Sequence, residues 1–361
     1  MEEAELQTQR ICAVLACCTN LLMTQLILHY SPKHIGVYKY FMIYISVFEI
    51  LYAILDVLIA PRIFLKDCTF LIIVDANKTL LPRSWAYMAN VLYCDFFGTS
   101  MAIFAIHFVY RYLVVSGNKL LSTFHSYGTT IWLLFPFVFG SIWTVAVYAT
   151  LQPTPLKDQF LQEQFPERRA NVSDFVYLGP YFYPKDKTGN SNVDWNSFVG
   201  IATITTMLSL SVLTMTYFGV KCYWKMKSIV ARTSGSSHFR TLQSQLFYAL
   251  VLQTAIPFSL MHLPCSYIFI SAFLSKGNET LGHLLTYTIA LYPVLDPLPN
   301  MFIIKSYRKA LLRCGRKKEK KDVPVSTQIP MSTLDVSVAR SDLNSARSSF
   351  RSNSQRSPVP S

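Results

Sequence analysis

Tyr38–Ala60 reads YKYFMIYISVFEILYAILDVLIA, apolar along its whole length apart from Lys39, Glu49 and Asp56 among the ionisable residues. A hydrocarbon core of about 30 Å is crossed by about 20 mostly apolar helical residues. Lipid offers no water to satisfy a free backbone, so a helix is the form expected. Six further stretches share this character: Ile11–Tyr30, Tyr87–Val115, Tyr127–Leu151, Trp195–Lys221, Leu242–Phe273 and Leu281–Ile304. The expected fold class is therefore an all-α membrane protein, a seven-transmembrane helix bundle with its termini on opposite faces. A receptor, channel or transporter suits that count. A soluble enzyme does not, and no hydrolase elbow, HExxH or P-loop is present to argue for one.

The whole chain agrees: of 361 residues, 52% are hydrophobic and only 15% charged, too few charges for a soluble domain. The organisation expected is an extracellular N-terminus (1–10), the bundle (11–304), a short amphipathic juxtamembrane helix (305–315) and a disordered cytoplasmic tail (316–361). Glu2, Glu3 and Glu5 against Arg10 are not the basic start of a cleaved signal, so span one is read as a retained anchor. The net charge of +13 is concentrated after the last span, from Lys305 through Lys321, which indicates an edge facing anionic lipid rather than nucleic acid. Within Ser306–Arg313, Leu311 and Leu312 can enter lipid while Arg308, Lys309 and Arg313 reach headgroups. Cys314 follows in a palmitoylation context. The Ser- and Arg-rich remainder holds too few large apolar side chains to fold.

Two signals orient the chain. Lys221, Lys225, Lys227, Arg232 and Arg240 share the third inner loop, on the side of the basic tail, while the basic residues of the long second outer loop, Gln152–Asp194, are interleaved with acids. Sequons at Asn77, Asn171 and Asn278 fall one in each outer loop, marking candidate glycosylation sites. The second outer loop is long enough to be a lid, and equally reads as a solvated surface loop.

Ionisable groups inside spans are costly and mark candidate sites. Glu49, Tyr52 and Asp56 share one helical face; Glu49 reads as a register-holding acid, and Asp56 lies nearer a pocket. Asp95 and Thr99 lie one turn apart near the outer end of span three, His107 and Arg111 near its inner end. Pro257 and Pro264 kink span six, and Tyr292–Asn300, with three prolines and Asp296, makes span seven irregular. Cys12, Cys17, Cys18, Cys222 and Cys265 read as small hydrophobes. Cys68 and Cys94 both fall near the outer surface, where a disulfide is chemically allowed. No cysteine pair has metal spacing, and no cofactor is expected.

Three long segments, IGVYKYFMIYISVFEILYAILD (Ile35–Asp56), HFVYRYLVV (His107–Val115) and LYPVLDPLPNMFIIKSYRKALL (Leu291–Leu312), give the chain its resemblance. It resembles the nematode serpentine chemoreceptors of the Str class, which contains the diacetyl odorant receptor, over roughly residues 8–315. The resemblance implies a receptor for a small odorant or water-soluble cue that couples to a heterotrimeric G protein, in the plasma membrane of a chemosensory cilium, with receptor kinase and arrestin acting on the tail. Tyr110-Arg111-Tyr112 then stands in place of an acid-Arg-Tyr motif, so an intrahelical Arg–carboxylate lock is lost. Asp296-Pro297 with Asn300 stands where Asn-Pro-x-x-Tyr is usual. The second outer loop has no cysteine, which leaves Cys68 as the nearest partner for Cys94. The expected ligand contacts are Asp95, Thr99, Trp195, Asn196, His262, Tyr287 and Tyr292, and the expected G-protein face is Arg111 with Lys225, Lys227, Arg232 and Arg240. The competing readings are a ligand-gated cation channel of inverted topology, which the sequons and basic tail oppose, and an ion-coupled transporter, which the odd span count opposes.

Overall fold

The computed structural model describes residues 2–125, 127–165, 175–185, 190–231 and 237–315. The expected tail, Arg232 and Asn171 lie outside the described residues. Eleven α-helices are described: α1 (Glu2–Tyr30), α2 (Tyr38–Ile59), α3 (Arg83–Ser116), α4 (Tyr127–Thr150), α5 (Pro155–Gln164), α6 (Trp195–Ala231), α7 (Ser237–Pro257), α8 (Leu263–Phe273), α9 (Glu279–Leu295), α10 (Leu298–Ile303) and α11 (Lys305–Gly315). Six helical segments are each long and apolar enough to cross a membrane, the sixth being α7 and α8 joined through a π-turn at Phe258–His262. The seventh pass is α9 and α10, interrupted at Asp296–Pro297.

That interruption follows from proline chemistry. Pro297 has no N–H to donate, so the Pro293 carbonyl loses its helical partner. Asn20 on α1 takes the role instead, its Nδ2 donating to that carbonyl at 3.0 Å. Asn300 Nδ2 donates to Gln253 Oε1 at 2.7 Å, and Gln253 Nε2 donates to Asp296. Glu49 lies beside Asp296 and Asn20. Spans one, six and seven are thus joined by buried hydrogen bonds at mid-bundle, with Glu49 of span two beside them.

The central helix is α3, buried without interruption from Gly98 to Phe108. It meets α4 through reciprocal glycines. A Cβ on Gly98 would lie 2.4 Å from the Trp143 ring, and one on Gly140 would lie 2.3 Å from Asp95 Oδ1. Neither position has room for a side chain.

The spans form the expected helical bundle, and the connections at one end of it add a three-stranded sheet. Strand β1 (Arg62–Lys66) pairs antiparallel with β2 (Thr69–Asp75), from Arg62↔Ile73 to Lys66↔Thr69. β2 pairs with β3 (Phe175–Leu178), from Ile72↔Leu178 to Asp75↔Phe175. The run FLIIV at Phe70–Val74 supplies the β-branched side chains such a strand favours. The sheet is fastened to the helices beneath it. Ile63 N–H donates to Thr286 Oγ1 at 3.2 Å, Asp67 and Gly277 exchange backbone bonds of 3.2 and 2.9 Å, and Gly179 N–H donates to Leu151 O at 3.0 Å. Gly179 has φ 143°, and a Cβ there would strike Phe70 O at 2.2 Å.

Helix α5 braces this roof. Thr154 caps it, Pro155 begins it, and Tyr177 on β3 donates to Asp158 Oδ1 at 2.6 Å. Lys157 is buried with its Nζ donating to Gln152 O at 2.9 Å, and burial lowers its ammonium to about 8, opposed by Asp194. The first ten residues are not a separate segment either, since α1 begins at Glu2. Glu5 is buried where it pairs with Arg62 at 3.3 Å and with His283, and Gln9 donates to Pro61 O at 3.0 Å.

The α3–α4 crossing predicts that Gly98→Val destabilises the bundle by about 1–3 kcal/mol through overpacking. The thermal midpoint of purified protein should fall. An unchanged midpoint would mean that Trp143 yields without cost.

Candidate functional site

Beneath the sheet lie two contiguous cavities. The first is a narrow cavity of about 50 Å³ between Ile63, Phe70 and Ile72 of the hairpin above, Leu178–Pro180 at one side, and Tyr93, Cys94 and Cys265 below. The second, larger at about 470 Å³, lies between α6 and α8 and reaches His262, Ser266 and Phe269. Phe97, Trp143, Ile201, Ile204, Cys265 and Phe269 line both. The walls are almost wholly apolar, with aromatic rings in contact: Phe97 lies 4.5 Å from the His262 ring and 6.4 Å from Trp143 between centroids.

Of the expected ligand contacts, His262 alone lines a cavity. Asp95 and Thr99 turn to α4, where Asp95 Oδ1 accepts from Thr144 at 3.3 Å and Thr99 at 3.5 Å. The glycine at Gly140 draws α4 onto that face. Trp195 is 72% exposed and Asn196 is exposed, because both begin α6 beyond the capping Asp194. Tyr287 is half-buried and borders neither cavity. Tyr292 is buried in an aromatic stack with Tyr52 (5.8 Å), which continues to Tyr93 (5.1 Å). Asp56 borders a much smaller cleft of about 10 Å³ with Ala13 and Pro293.

At the opposite end of the bundle, Arg111 is fully buried, its guanidinium carbon 3.7 Å above the centre of the Tyr38 ring. Its Nη1 donates to Gln243 Oε1 on α7 at 2.9 Å. A cation over an aromatic face and a charge-assisted hydrogen bond therefore hold α3 to α2 and α7 without a carboxylate. Tyr110 stacks on Tyr38 at 5.6 Å and packs on Phe124 at 5.1 Å, and Tyr112 packs on Phe218 at 5.5 Å. Lys225 and Lys227 are exposed near this end of α6, and Arg240 is half-buried at the start of α7. Asp296, Pro297 and Asn300 belong instead to the mid-bundle network described above.

Tyr38 and Gln243 escaped sequence reading. Without a carboxylate partner, the contacts of Arg111 are set by helix packing alone. The cavity walls escaped for a related reason: their apolar residues carry the same helical period as core. A proline pair around His262 was the one visible signal.

The expected Cys68–Cys94 disulfide is not formed; both are free thiols. Cys68 sits in the β1–β2 turn, donating to Tyr183 O at 3.5 Å, and burial raises its thiol. Cys94 faces the first cavity with Cys265. The hairpin is held by the Asp67–Gly277 and Thr286 bonds rather than by sulfur. Asn77 and Asn278 are exposed at the sheet-bearing end, and Asn278 Oδ1 caps α9 by accepting from Thr280 N–H at 2.9 Å. The described part of the juxtamembrane segment is helical, as α11, which places Cys314 within a helix.

Comparison with known proteins is consistent along the chain. Residues 5–312 match the family model described as serpentine type 7TM GPCR chemoreceptor Str. The chain is 31% identical over 304 residues to G-protein coupled receptor str-217 of Caenorhabditis elegans, covering 84% of this chain and 87% of that one. It is 29% identical over 317 residues to serpentine receptor class r-10 of Caenorhabditis briggsae, covering 86% and 90%. The fold resembles squid rhodopsin, with a TM-score of 0.54 at 12% identity over 93% of this chain and 90% of that one.

The sulfur arrangement predicts that denatured, unreduced protein is alkylated at both Cys68 and Cys94. Peptide mass spectrometry checks this, and a Cys68–Cys94 cross-linked peptide would contradict it.

Proposed function

The chain belongs to the Str family of serpentine seven-transmembrane G-protein-coupled chemoreceptors, and from that premise we propose that it detects a small, mainly apolar molecule in the roofed cavities beneath the sheet. The family comprises receptors, which work through a ligand and a G protein, and not enzymes. The single observation that carries the ligand reading is the pair of contiguous apolar cavities at one end of the bundle. Such a site favours a volatile, odorant-type cue over a charged water-soluble one, because burying an unpaired charge there has no compensation.

In this reading the sheet-bearing end faces outward. Asn77 and Asn278 on that end, and the lysines and α11 on the other, support it. The opposite end then receives the G protein, through Arg111 once freed, with Lys225, Lys227 and Arg240 at that end and Arg232, outside the described residues, as a further proposed contact. The Arg111–Gln243–Tyr38 contacts hold the resting state, and a ligand acts by binding the released state more tightly. The tail serines are sites where added phosphate ends the signal through kinase and arrestin. Cys314 is a site for a second lipid anchor. The ciliary membrane of a chemosensory neuron is the proposed location.

Three outcomes test this. Ile204→Trp, which fills both cavities, should raise the ligand concentration for half-response about tenfold or more at normal surface level. Val220→Trp, on the lipid-facing side of α6, should leave it unchanged. If Ile204→Trp responds normally, the cavities are not the site. Gln243→Ala removes a hydrogen bond to a charged group worth about 1.5–3 kcal/mol and should raise ligand-free G-protein activation severalfold. Unaltered or lowered basal activity would sink the latch. An N-terminal epitope should stain on intact cells, with a glycosidase-sensitive mass shift; staining only after permeabilisation would reverse every outward and inward assignment.

A further inference from the structure

We infer that the cavity between α6 and α8 takes a hydroxyl compound, an alcohol or phenol on an apolar body, which arrives from the lipid rather than from water. This deepens the ligand-cavity reading above and rests on it.

The hydroxyl is read from two buried groups left without partners. His262 is 1% exposed and Trp143 is 3% exposed, and His262 Nδ1 and Trp143 Nε1 make no hydrogen bond to any described residue. Both residues line the second cavity and both pack on Phe97. A buried polar group left unpaired is costly, so each calls for a partner. The Trp143 indole N–H is a donor only.

The His262 state follows from its other nitrogen. Ser100 Oγ donates its single proton to Phe97 O at 2.9 Å. The contact of 3.3 Å between Ser100 Oγ and His262 Nε2 must then run the other way, with Nε2–H donating to the serine oxygen. A neutral imidazole protonated at Nε2 presents a bare acceptor at Nδ1. Besides the hydroxyls of Thr205, Thr206 and Ser266, the cavity lining therefore offers one buried unpaired acceptor and one buried unpaired donor. A hydroxyl group answers both, giving its proton to His262 Nδ1 and accepting from Trp143 Nε1. An ether, ketone or diketone answers only the indole and leaves Nδ1 unpaired.

The route is read from the walls. Above the first cavity, Ile63, Phe70 and Ile72 of the hairpin close the outer side. The second cavity's lining includes Thr205, Thr206 and Ile270, which are exposed on the lipid-facing surface of the bundle. The mouth thus opens sideways, between α6 and α8. His262 also ends the π-turn at Phe258–His262, an arrangement frequent at functional sites because a single turn is locally rewound. A ligand bonded there contacts the point at which span six changes its winding.

The test uses full-length receptor in nanodiscs and two brominated probes, an ω-bromohexanol and its methyl ether, read by quenching of Trp143 fluorescence. The chain has five tryptophans, so the saturable component is assigned by its loss in Trp143→Phe. The expected result is saturable quenching by the alcohol, with the ether binding about tenfold more weakly. His262→Phe should bring the alcohol down to the level of the ether. Ser100→Ala, a mild change that frees the imidazole to carry its proton on either nitrogen, should narrow the gap by strengthening the ether. Equal saturable binding of alcohol and ether to the unmodified receptor would overturn the hydroxyl inference and leave the cavity reading standing. No saturable quenching by either probe would overturn both.

Discussion

The bond from Asn20 to the Pro293 carbonyl is the contact on which the rest of the bundle depends. A proline run in the seventh pass strips helical partners from carbonyls at a depth where no solvent replaces them. Only a side chain from a neighbouring helix can serve, so α1 is drawn against α9. Gln253 and Asn300 anchor the same break from α7 and α10. The cost of the broken helix thereby becomes a set of fixed joints between three spans. The sheet, the cavities and the inner face are all placed relative to those joints.

One element connects the two ends. The unit α7–π-turn–α8 carries Gln243 beside Arg111, Gln253 in the mid-bundle network, and His262 in the cavity. Under the proposed function, a ligand touching His262 and a G protein needing Arg111 act on the same helix. The π-turn and the two flanking prolines weaken its regular bonding between cavity and network, which is where a tilt costs least. Coupling needs no longer path than this one helix.

Much of the bundle was legible because its physics is local to each segment. Tyr38–Ala60 and Tyr127–Leu151 were expected as spans, and the helices run Tyr38–Ile59 and Tyr127–Thr150. The sheet was not legible: Phe70–Val74 has the composition of a strand, but its partners lie across the chain at Phe175–Leu178 and depend on the helices beneath. The facing of Asp95 and Thr99 was misjudged because it is decided by Gly140 on another helix. The Cys68–Cys94 pairing rested on shared depth alone, whereas the thiols point to different neighbours. Of the residues expected at the ligand site, His262 is the one that lines the second cavity. Its apolar companions carried no mark to separate cavity wall from core.

The most direct measurement is a structure of the receptor bound to a nucleotide-free G protein. It should show Arg111 withdrawn from the Tyr38 ring and from Gln243, and the inner end of α7 displaced. The Asn20–Pro293 bond should remain intact. A seated G protein with the Arg111–Gln243 bond still closed would contradict the account.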